Sequence, residues 1–193
     1  MDLSVCAERK IDYMEKAVLL NETSAQRLVN RMAYEIIEDN KGADNLVIIG
    51  IQTRGVLFAK ALQRKISEIE GVDLPLGSLD ITFYRDDLTR LNDHPVIKGT
   101  DIAFPIEDKN IILVDDILFS GRTVNAAIKE LFDMGRPAKI KLAVLIDRGH
   151  HELPISADYC GKNVPTALDE YIKAQITEDG TVELVTICNK EDR

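Results

Sequence analysis

The sequence of 193 residues has few cysteines and no long apolar run, and each deficit excludes a class of protein. Its three cysteines, Cys6, Cys160 and Cys188, are odd in number and share no C-x-x-C spacing, so we expect neither a disulfide framework nor a zinc site. No apolar stretch approaches the roughly 18 residues of a membrane span. The N-terminus, MDLSVCAERK, carries charges where a signal peptide needs apolar residues. We therefore expect a cytoplasmic protein that does not enter a membrane.

Positive charge is also scarce, because 24 lysines and arginines stand against 33 aspartates and glutamates, for a formal net charge of −9. This balance argues against a surface that is basic all over, as a general nucleic-acid binder has, but it is compatible with a local basic patch. The apolar share of 45% is typical of a globular protein. The length predicts one domain over 1–193, with 1–16 as an N-terminal extension.

The hydrophobic pattern predicts an α/β fold. Apolar residues at three- and four-residue intervals predict three helices: 23–39, 56–69 and 123–134. Short aliphatic or alternating runs predict four strands: 45–51, 79–84, 110–114 and 140–146. Strands separated by helices favour right-handed crossovers and a mainly parallel central sheet flanked by helices. Residues 170–188 predict a C-terminal hairpin, and Thr23 with Gln26 suggests a capping box for the first helix.

A long polar segment over 85–104 has neither the helical nor the strand period and is interrupted by Pro95 and Gly99. Loops of this length are uncommon inside compact domains and are frequently lids over active sites. The alternative is a surface excursion without a function.

Three of the predicted strands end in residues that suit a ligand: GIQTRG (50–55), Asp115 with Asp116, and DRG (147–149). Ligands of open parallel sheets bind beyond the carboxyl ends of the strands, so these residues should converge. The sequence LFSGRT after Asp116 puts small residues at a helix N-terminus, where free N–H groups and the helix dipole attract a phosphate. Adjacent carboxylates would repel that phosphate, so they should face hydroxyls or a metal one sugar-length away. A ribose 5-phosphate satisfies both requirements.

Other proteins also end an apolar run in acids, among them magnesium-dependent NTPases, phospho-acceptor domains and helices with acidic N-caps. The NTPase interpretation needs a G-x-x-x-x-G-K-[ST] loop, and the one near match, GIQTRGVL, has Val56 in the place of the lysine. A capping role explains one aspartate and leaves the second unexplained.

The thirteen residues IILVDDILFSGRT (111–123) closely resemble the phosphoribosyl-diphosphate (PRPP) binding motif of type I phosphoribosyltransferases. The sequences GIQTRG, ITFYRDDL and DRGHHELP extend the resemblance, over about 18–187, to the PyrR-type branch of that family. It implies the type I phosphoribosyltransferase fold, with a flexible lid loop over 85–104. Members of the branch are uracil phosphoribosyltransferases, which convert uracil and PRPP to UMP and diphosphate with magnesium on the diphosphate. Many also bind the leader messenger RNA of a pyrimidine operon in a nucleotide-dependent way.

The resemblance also implies roles for individual residues. Asp115 and Asp116 match the acids that hold the ribose hydroxyls, and Arg85, beside Asp86 and Asp87, matches the arginine that closes on the diphosphate; these are the expected catalytic residues, Arg85, Asp115 and Asp116. Thr53 and Arg54 match the pyrophosphate loop, where the family often has a non-proline cis peptide. The loop for the 5-phosphate matches five residues: Phe119, Ser120, Gly121, Arg122 and Thr123.

Two residues after the fourth predicted strand complete the expected site. Asp147 is a candidate ligand of magnesium or of its water, with the ion held mostly by PRPP oxygens and water. Arg148 is a candidate contact to the nucleotide, or alternatively part of a surface ion pair. His150 and His151 are adjacent, would point to opposite faces of a strand and lack the spacing of a metalloprotease helix, so we expect no metal there.

For RNA, the candidates are Arg27 and Arg31, four apart on the first predicted helix, and Lys162 in the segment that family members use. A solvated helix face is the alternative. RNA-binding members usually have arginine at the positions that His151 and Ser156 occupy here. The loss of these two cations should weaken RNA binding more than catalysis.

Two other functions remain open. A hypoxanthine or guanine phosphoribosyltransferase would share the PRPP motif, but DRGHHELP and GKNVPT argue against its base pocket. A non-catalytic, nucleotide-sensing RNA regulator would be expected to lose Arg85 or the acids, and both are present. The expected partners are PRPP, uracil, UMP and leader messenger RNA, and the resemblance implies a dimer or larger homo-oligomer.

Overall fold

The computed structural model describes residues 13–82 and 99–190. The helices and strands of these residues, in chain order, are β1 (Tyr13–Asn21), α1 (Glu22–Asn40), β2 (Leu46–Ile51), α2 (Arg54–Glu70), β3 (Leu76–Leu79), β4 (Asn110–Leu118), α3 (Arg122–Met134), β5 (Lys139–Asp147), β6 (Tyr159–Asn163), β7 (Glu170–Ile176) and β8 (Val182–Lys190).

The central sheet has five strands in the order β3-β2-β4-β5-β6, and every neighbouring pair is parallel. Helices cover both faces, which is why β2 is buried along its whole length. On one face Ile48 packs with α1 and α2, including Met32 and Phe58, and on the other Ile49 packs with α3, including Leu131. The prediction of a mainly parallel sheet flanked by helices is confirmed.

A second sheet is antiparallel, with the strand order β1-β8-β7. Its β7 and β8 form the predicted C-terminal hairpin. The prediction of an extension over 1–16 is wrong for residues 13–16, because they begin β1, which pairs with β8. A strand whose partner lies at the other end of the chain leaves no mark on its local periodicity.

The start of α1 differs from the prediction. Asn21 is the N-cap, since its side chain accepts a hydrogen bond from the Ser24 amide (2.9 Å) and the Ser24 hydroxyl accepts one from the Asn21 amide (2.9 Å). The predicted capping box of Thr23 and Gln26 is wrong, because β1 runs as far as Asn21 and thereby sets where the helix begins.

Two strands differ from their predicted bounds by more than one residue, and a third was not predicted. The strand predicted over 79–84 is β3, Leu76–Leu79, and the part of the prediction at 83–84 lies outside the described residues. The strand predicted over 110–114 continues to Leu118, since β5 offers pairing partners over that length. Tyr159–Asn163 lies in none of the predicted helices or strands and forms β6, which pairs with β5.

Of the loop predicted over 85–104, only 99–104 lies among the described residues. This end is tied to the sheet, because Asp101 exchanges backbone hydrogen bonds with Ser78 (2.8 Å each) and the Gly99 amide donates to Asp80 (3.0 Å). Within the described parts of the chain, no helix combines the length and the apolar character needed to cross a membrane.

Candidate functional site

The two acids of the predicted motif lie within β4, and Asp116 is two residues before the strand ends at Leu118. Asp115 is only 8% exposed, and its Oδ1 accepts a hydrogen bond from the Asp116 amide (2.9 Å). Burial and the neighbouring charge of Asp116 raise the pKa of Asp115 well above its usual range. Burial also raises the pKa of Asp116, against the opposing charge of Arg54. Buried carboxylates of this kind are stabilised by hydroxyl donors or a cation.

The turn between β2 and α2 is packed directly against these acids. A Cβ on Gly55 would lie 2.6 Å from the Val114 carbonyl oxygen and 3.2 Å from Asp115 Oδ1. Only glycine permits this approach, which brings Thr53 and Arg54 to the end of β4. The peptide bond between Gln52 and Thr53 is cis. Of the pyrophosphate-loop residues of the prediction, Arg54 lies close enough for its charge to act on Asp116.

The loop between β4 and α3 carries the residues predicted to bind a phosphate. Gly121 is the N-cap of α3 with φ +86°, a left-handed conformation that favours glycine. Its helix has no side-chain cap and no acid in its first turn. The first-turn amides, together with the hydroxyls of Ser120 and Thr123, therefore offer an anion site at the positive end of the helix dipole.

The chain after β5 packs on this phosphate loop. The Ser120 carbonyl accepts hydrogen bonds from the amides of Glu152 (3.0 Å) and Leu153 (3.3 Å). Arg122 directs its guanidinium to Glu152 Oε2 (2.7 Å). The charge of Arg122 is thus shared with a carboxylate, a partner that nothing in the motif itself indicates.

Asp147 lies at the same edge of the sheet, opposite Leu118 in the β4–β5 register. Its Oδ1 accepts a hydrogen bond from the Gly149 amide (2.9 Å) and lies 2.9 Å from His151 Nε2. His150 has φ +61° and lies with its Nε2 2.6 Å from the Thr166 carbonyl, so the histidines do not alternate on a strand as expected. Among the described residues, no three or more His, Cys, Asp or Glu are placed to hold a metal.

Arg148 is only 6% exposed, so the alternative of a surface ion pair is wrong. Its Nε donates to the Thr166 hydroxyl (3.0 Å) and its Nη2 to the Ala167 carbonyl (3.3 Å). The guanidinium lies 4.2 Å from the centroid of the Phe119 ring, and burial lowers the pKa of Arg148. Sequence reasoning missed Glu152 and Thr166, because both act through contacts with residues that are distant in the chain.

The cations predicted for RNA lie along α1 and β6. The Arg31 guanidinium donates to the carbonyls of Cys160 (3.0 Å) and Gly161 (2.7 Å) and pairs with Glu35 (2.7 Å). Lys162 donates to the Leu19 carbonyl (3.2 Å), and Arg27 is exposed on α1. Two of the three cations are therefore already bonded to the chain.

Arg85, with Asp86 and Asp87, lies outside the described residues. The remaining predicted residues of the site gather at one edge of the central sheet, at the carboxyl ends of β2, β4 and β5, as expected for ligands of a parallel sheet.

Comparison with known proteins agrees with this geometry. Residues 18–173 match the model of the phosphoribosyl transferase domain. The chain is 55% identical to the bifunctional protein PyrR of Acetivibrio thermocellus, over 92% of this chain and 97% of that protein. It is 51% identical to the bifunctional protein PyrR of Deinococcus radiodurans, again over 92% of this chain and 97% of that one.

Solved structures share the fold at lower identity. A hypoxanthine-guanine phosphoribosyltransferase of Bacillus anthracis matches with a TM-score of 0.66 and 22% identity, over 91% of this chain and 99% of that one. The hypoxanthine phosphoribosyltransferase of Trypanosoma cruzi matches with a TM-score of 0.68 and 22% identity, over 92% and 98%. From its family match and its curated relatives, this chain belongs to the phosphoribosyltransferase family and, within it, to the PyrR group.

Proposed function

We propose that the protein is a uracil phosphoribosyltransferase that converts uracil and PRPP to UMP and diphosphate. The observation that carries the proposal is the acidic pair of buried Asp115 and half-buried Asp116, set between an uncapped helix N-terminus and the turn that carries Arg54. The similarity to proteins named PyrR supports a pyrimidine in place of the purine that the more distant structural relatives are named for.

Each part of PRPP has a matching part of the site. The 5-phosphate suits the first-turn amides of α3 with Ser120 and Thr123, and the ribose hydroxyls donate to the carboxylates of Asp115 and Asp116. The diphosphate suits the turn at Thr53 and Arg54, where the Arg54 charge offsets its own. The 5-phosphate and the diphosphate would then flank β4 on different sides, with the sugar above the acids.

The reaction is a displacement at the anomeric carbon. Uracil N1 forms a bond to C1 of the ribose as the bond from C1 to the diphosphate oxygen breaks, and the N1 proton is released with the diphosphate. Positive charge develops on the sugar ring, and the fixed carboxylates of Asp115 and Asp116 stabilise it. Catalysis is mainly positioning and electrostatic stabilisation, so no covalent nucleophile is needed.

Magnesium fits this site as a cation that the substrate brings. Asp115, Asp116 and Asp147 each would offer an oxygen beyond those already in use, since Asp115 Oδ1 accepts the Asp116 amide and Asp147 Oδ1 contacts Gly149 and His151. Magnesium in proteins is commonly held by one or two carboxylates with substrate phosphates and water. The ion would neutralise charge on the departing diphosphate. The role of Arg85 at that diphosphate rests on the sequence resemblance alone.

The direct test incubates the full chain with PRPP, magnesium and, separately, uracil, orotate, hypoxanthine and guanine. We expect UMP and diphosphate with uracil only, and no product when Asp115 and Asp116 are both changed to asparagine. The matched control is Asp44→Asn, because Asp44 is exposed in the connection between α1 and β2. Product from hypoxanthine or guanine, or none from any base, would refute the proposal.

A second function, RNA binding that depends on uridine nucleotides and controls expression of a pyrimidine operon, is supported by the name of the relatives, bifunctional protein PyrR. The described surface around α1 and β6 carries Arg27, Arg31 and Lys162. The test titrates leader RNA with and without UMP at several salt concentrations, using Arg27→Ala and, as control, Arg136→Ala. We expect UMP to strengthen binding and Arg27→Ala to reduce its salt dependence. RNA binding that is the same with and without UMP, and the same in the Arg27→Ala variant, contradicts this second function.

Regulation of a transcript requires the compartment where that transcript is made, so we infer a cytoplasmic protein. We also infer a homo-oligomer, a dimer or larger, on the resemblance to the PyrR group. Sedimentation of the purified chain measures this directly, and a monomer at all concentrations would contradict it.

A further inference from the structure

The order of strands in the central sheet determines where the base must lie, if the proposed function holds. In an in-line displacement the attacking nitrogen and the leaving diphosphate are on opposite sides of the anomeric carbon. The diphosphate turn follows β2, the acids lie on β4, and β4 separates β2 from β5. The base therefore lies toward the carboxyl end of β5.

An aromatic ring is fixed in that region. Phe119 follows the last residue of β4, and 38% of its surface is exposed. The ring is held from two directions, since the Arg148 guanidinium lies 4.2 Å from its centroid and the His150 ring contacts it edge-on at 5.9 Å. An exposed ring that is prevented from moving is suited to contact a planar ligand.

Arg148 is itself immobilised. Its amide donates to the Leu118 carbonyl (3.0 Å), and its guanidinium is bonded to Thr166 and Ala167, which precede β7. The same guanidinium lies 6.0 Å from the centroid of Tyr171 in β7. Arg148 thus connects the end of β4 to the segment before β7 and lies against the Phe119 ring. A buried arginine with this arrangement is placed to act through the ring it supports.

We propose that Phe119 contacts the uracil ring, and that Arg148 is a positioning residue that holds Phe119 in place for it. This differs from the role implied by the resemblance, in which Phe119 belongs to the loop around the 5-phosphate. In this proposal the backbone of the loop binds the phosphate, while the Phe119 side chain contacts the base.

The test compares two ligands that differ only in the base, UMP and ribose 5-phosphate, by calorimetry on the full chain. We expect Phe119→Ala to weaken UMP binding about tenfold, the usual effect of losing one base-stacking ring. Ribose 5-phosphate should bind within about twofold of the unchanged chain. The control is Phe132→Ala, because Phe132 is 57% exposed on α3 and lies outside the site. Equal weakening of both ligands, or unchanged UMP affinity, overturns the proposal.

A double-mutant cycle tests the role of Arg148. Arg148→Met keeps an apolar stem beneath the ring and removes the bonds to Thr166 and Ala167. We expect it to weaken UMP binding in the unchanged chain and to add no further loss in the Phe119→Ala background. A loss of the same size in both backgrounds shows that Arg148 acts independently of Phe119 and refutes its positioning role. If Arg148→Met does not fold, Arg148→Lys, which keeps the charge and loses the planar contact, replaces it.

This outcome is distinguishable from failure of the proposed function, since ligand binding needs no turnover. If the unchanged chain makes no UMP but Phe119→Ala weakens UMP binding, the inference about Phe119 stands and the proposed enzyme activity is refuted. If the Phe119→Ala variant makes UMP with an unchanged KM for uracil and an unchanged affinity for UMP, the enzyme activity stands and the inference about Phe119 is refuted.

Discussion

Charged side chains are arranged in opposite ways in two regions. One is the edge of the central sheet that holds the acids, and the other is the surface along α1 and β6. Asp115 is buried and Asp116 half-buried at the sheet edge, with Arg54 as a nearby cation that only partly offsets their charge. Arg31 and Lys162 are exposed, and both are already bonded to carbonyl oxygens of the chain. Buried charge that a ligand neutralises provides a strong and specific site, whereas exposed cations with partners provide a weak one. The comparison predicts that changes at the sheet edge have the larger effects.

The largest effect is expected from Asp116→Asn. Removing a carboxylate that stabilises the developing positive charge should lower kcat by about a hundredfold to a thousandfold, as for other electrostatic catalytic groups. Steady-state kinetics with PRPP and uracil measure it, with Asp44→Asn as the control. A loss below tenfold would mean that the acidic pair is not where the charge develops.

Gly55→Ala should come next. The added Cβ meets the Val114 carbonyl at 2.6 Å, so the turn and β4 must separate. Overpacking of this kind costs about 1–3 kcal/mol of unfolding free energy, which urea denaturation measures. Activity should fall as well, because the diphosphate turn moves away from the acids. Wild-type stability in this variant would show that the close approach is not needed.

The raised pKa of Asp115 predicts how stability depends on pH. Its folded pKa lies above the unfolded one, so between the two values the folded state binds more protons and the contribution to stability decreases as pH rises. Asp115→Asn removes this dependence. We expect the variant to melt at a higher temperature than the unchanged chain at neutral pH, with a smaller difference in mild acid. A difference that grows as pH falls would contradict the direction of the pKa shift.

On the cationic surface the expected effects are smaller. Arg31→Ala removes bonds to two carbonyls of β6 and should cost about 0.5–1.5 kcal/mol of unfolding free energy. Arg27→Ala, on the same helix, is the matched control and should cost nothing measurable. If both variants are equally stable in urea, the β6 contacts of Arg31 contribute nothing and its guanidinium is free to bind RNA.

The smallest effect is expected from Glu152→Gln. Its ion pair with Arg122 is about half exposed on both sides, and such pairs contribute about 0–1 kcal/mol. Thermal melting should change little, and binding of ribose 5-phosphate should be unchanged or slightly stronger, because a negative charge near the phosphate is removed. Weaker binding of ribose 5-phosphate would show that Glu152 positions the phosphate loop.

The match of residues 18–173 to the family model confirms the resemblance that the motif over 111–123 suggested. That motif could be interpreted from sequence because all its parts are local: an apolar strand, two acids and a glycine at a helix start. The burial of Arg148 could not be predicted from sequence, because it depends on contacts with Thr166 and Ala167, which are distant in the chain and precede β7.

The sequence by itself determined the three helices, the aliphatic strands β2, β4 and β5, the C-terminal hairpin and the identity of the acidic motif. Each of these is encoded by neighbours along the chain, through periodicity, apolar runs or turn residues. Only the tertiary structure decided that β1 pairs with β8, that β6 extends the parallel sheet, that Gly55 contacts β4 and that Phe119 lies on Arg148. Contacts between distant segments depend on which surfaces the fold brings together, and no local pattern of residues records them.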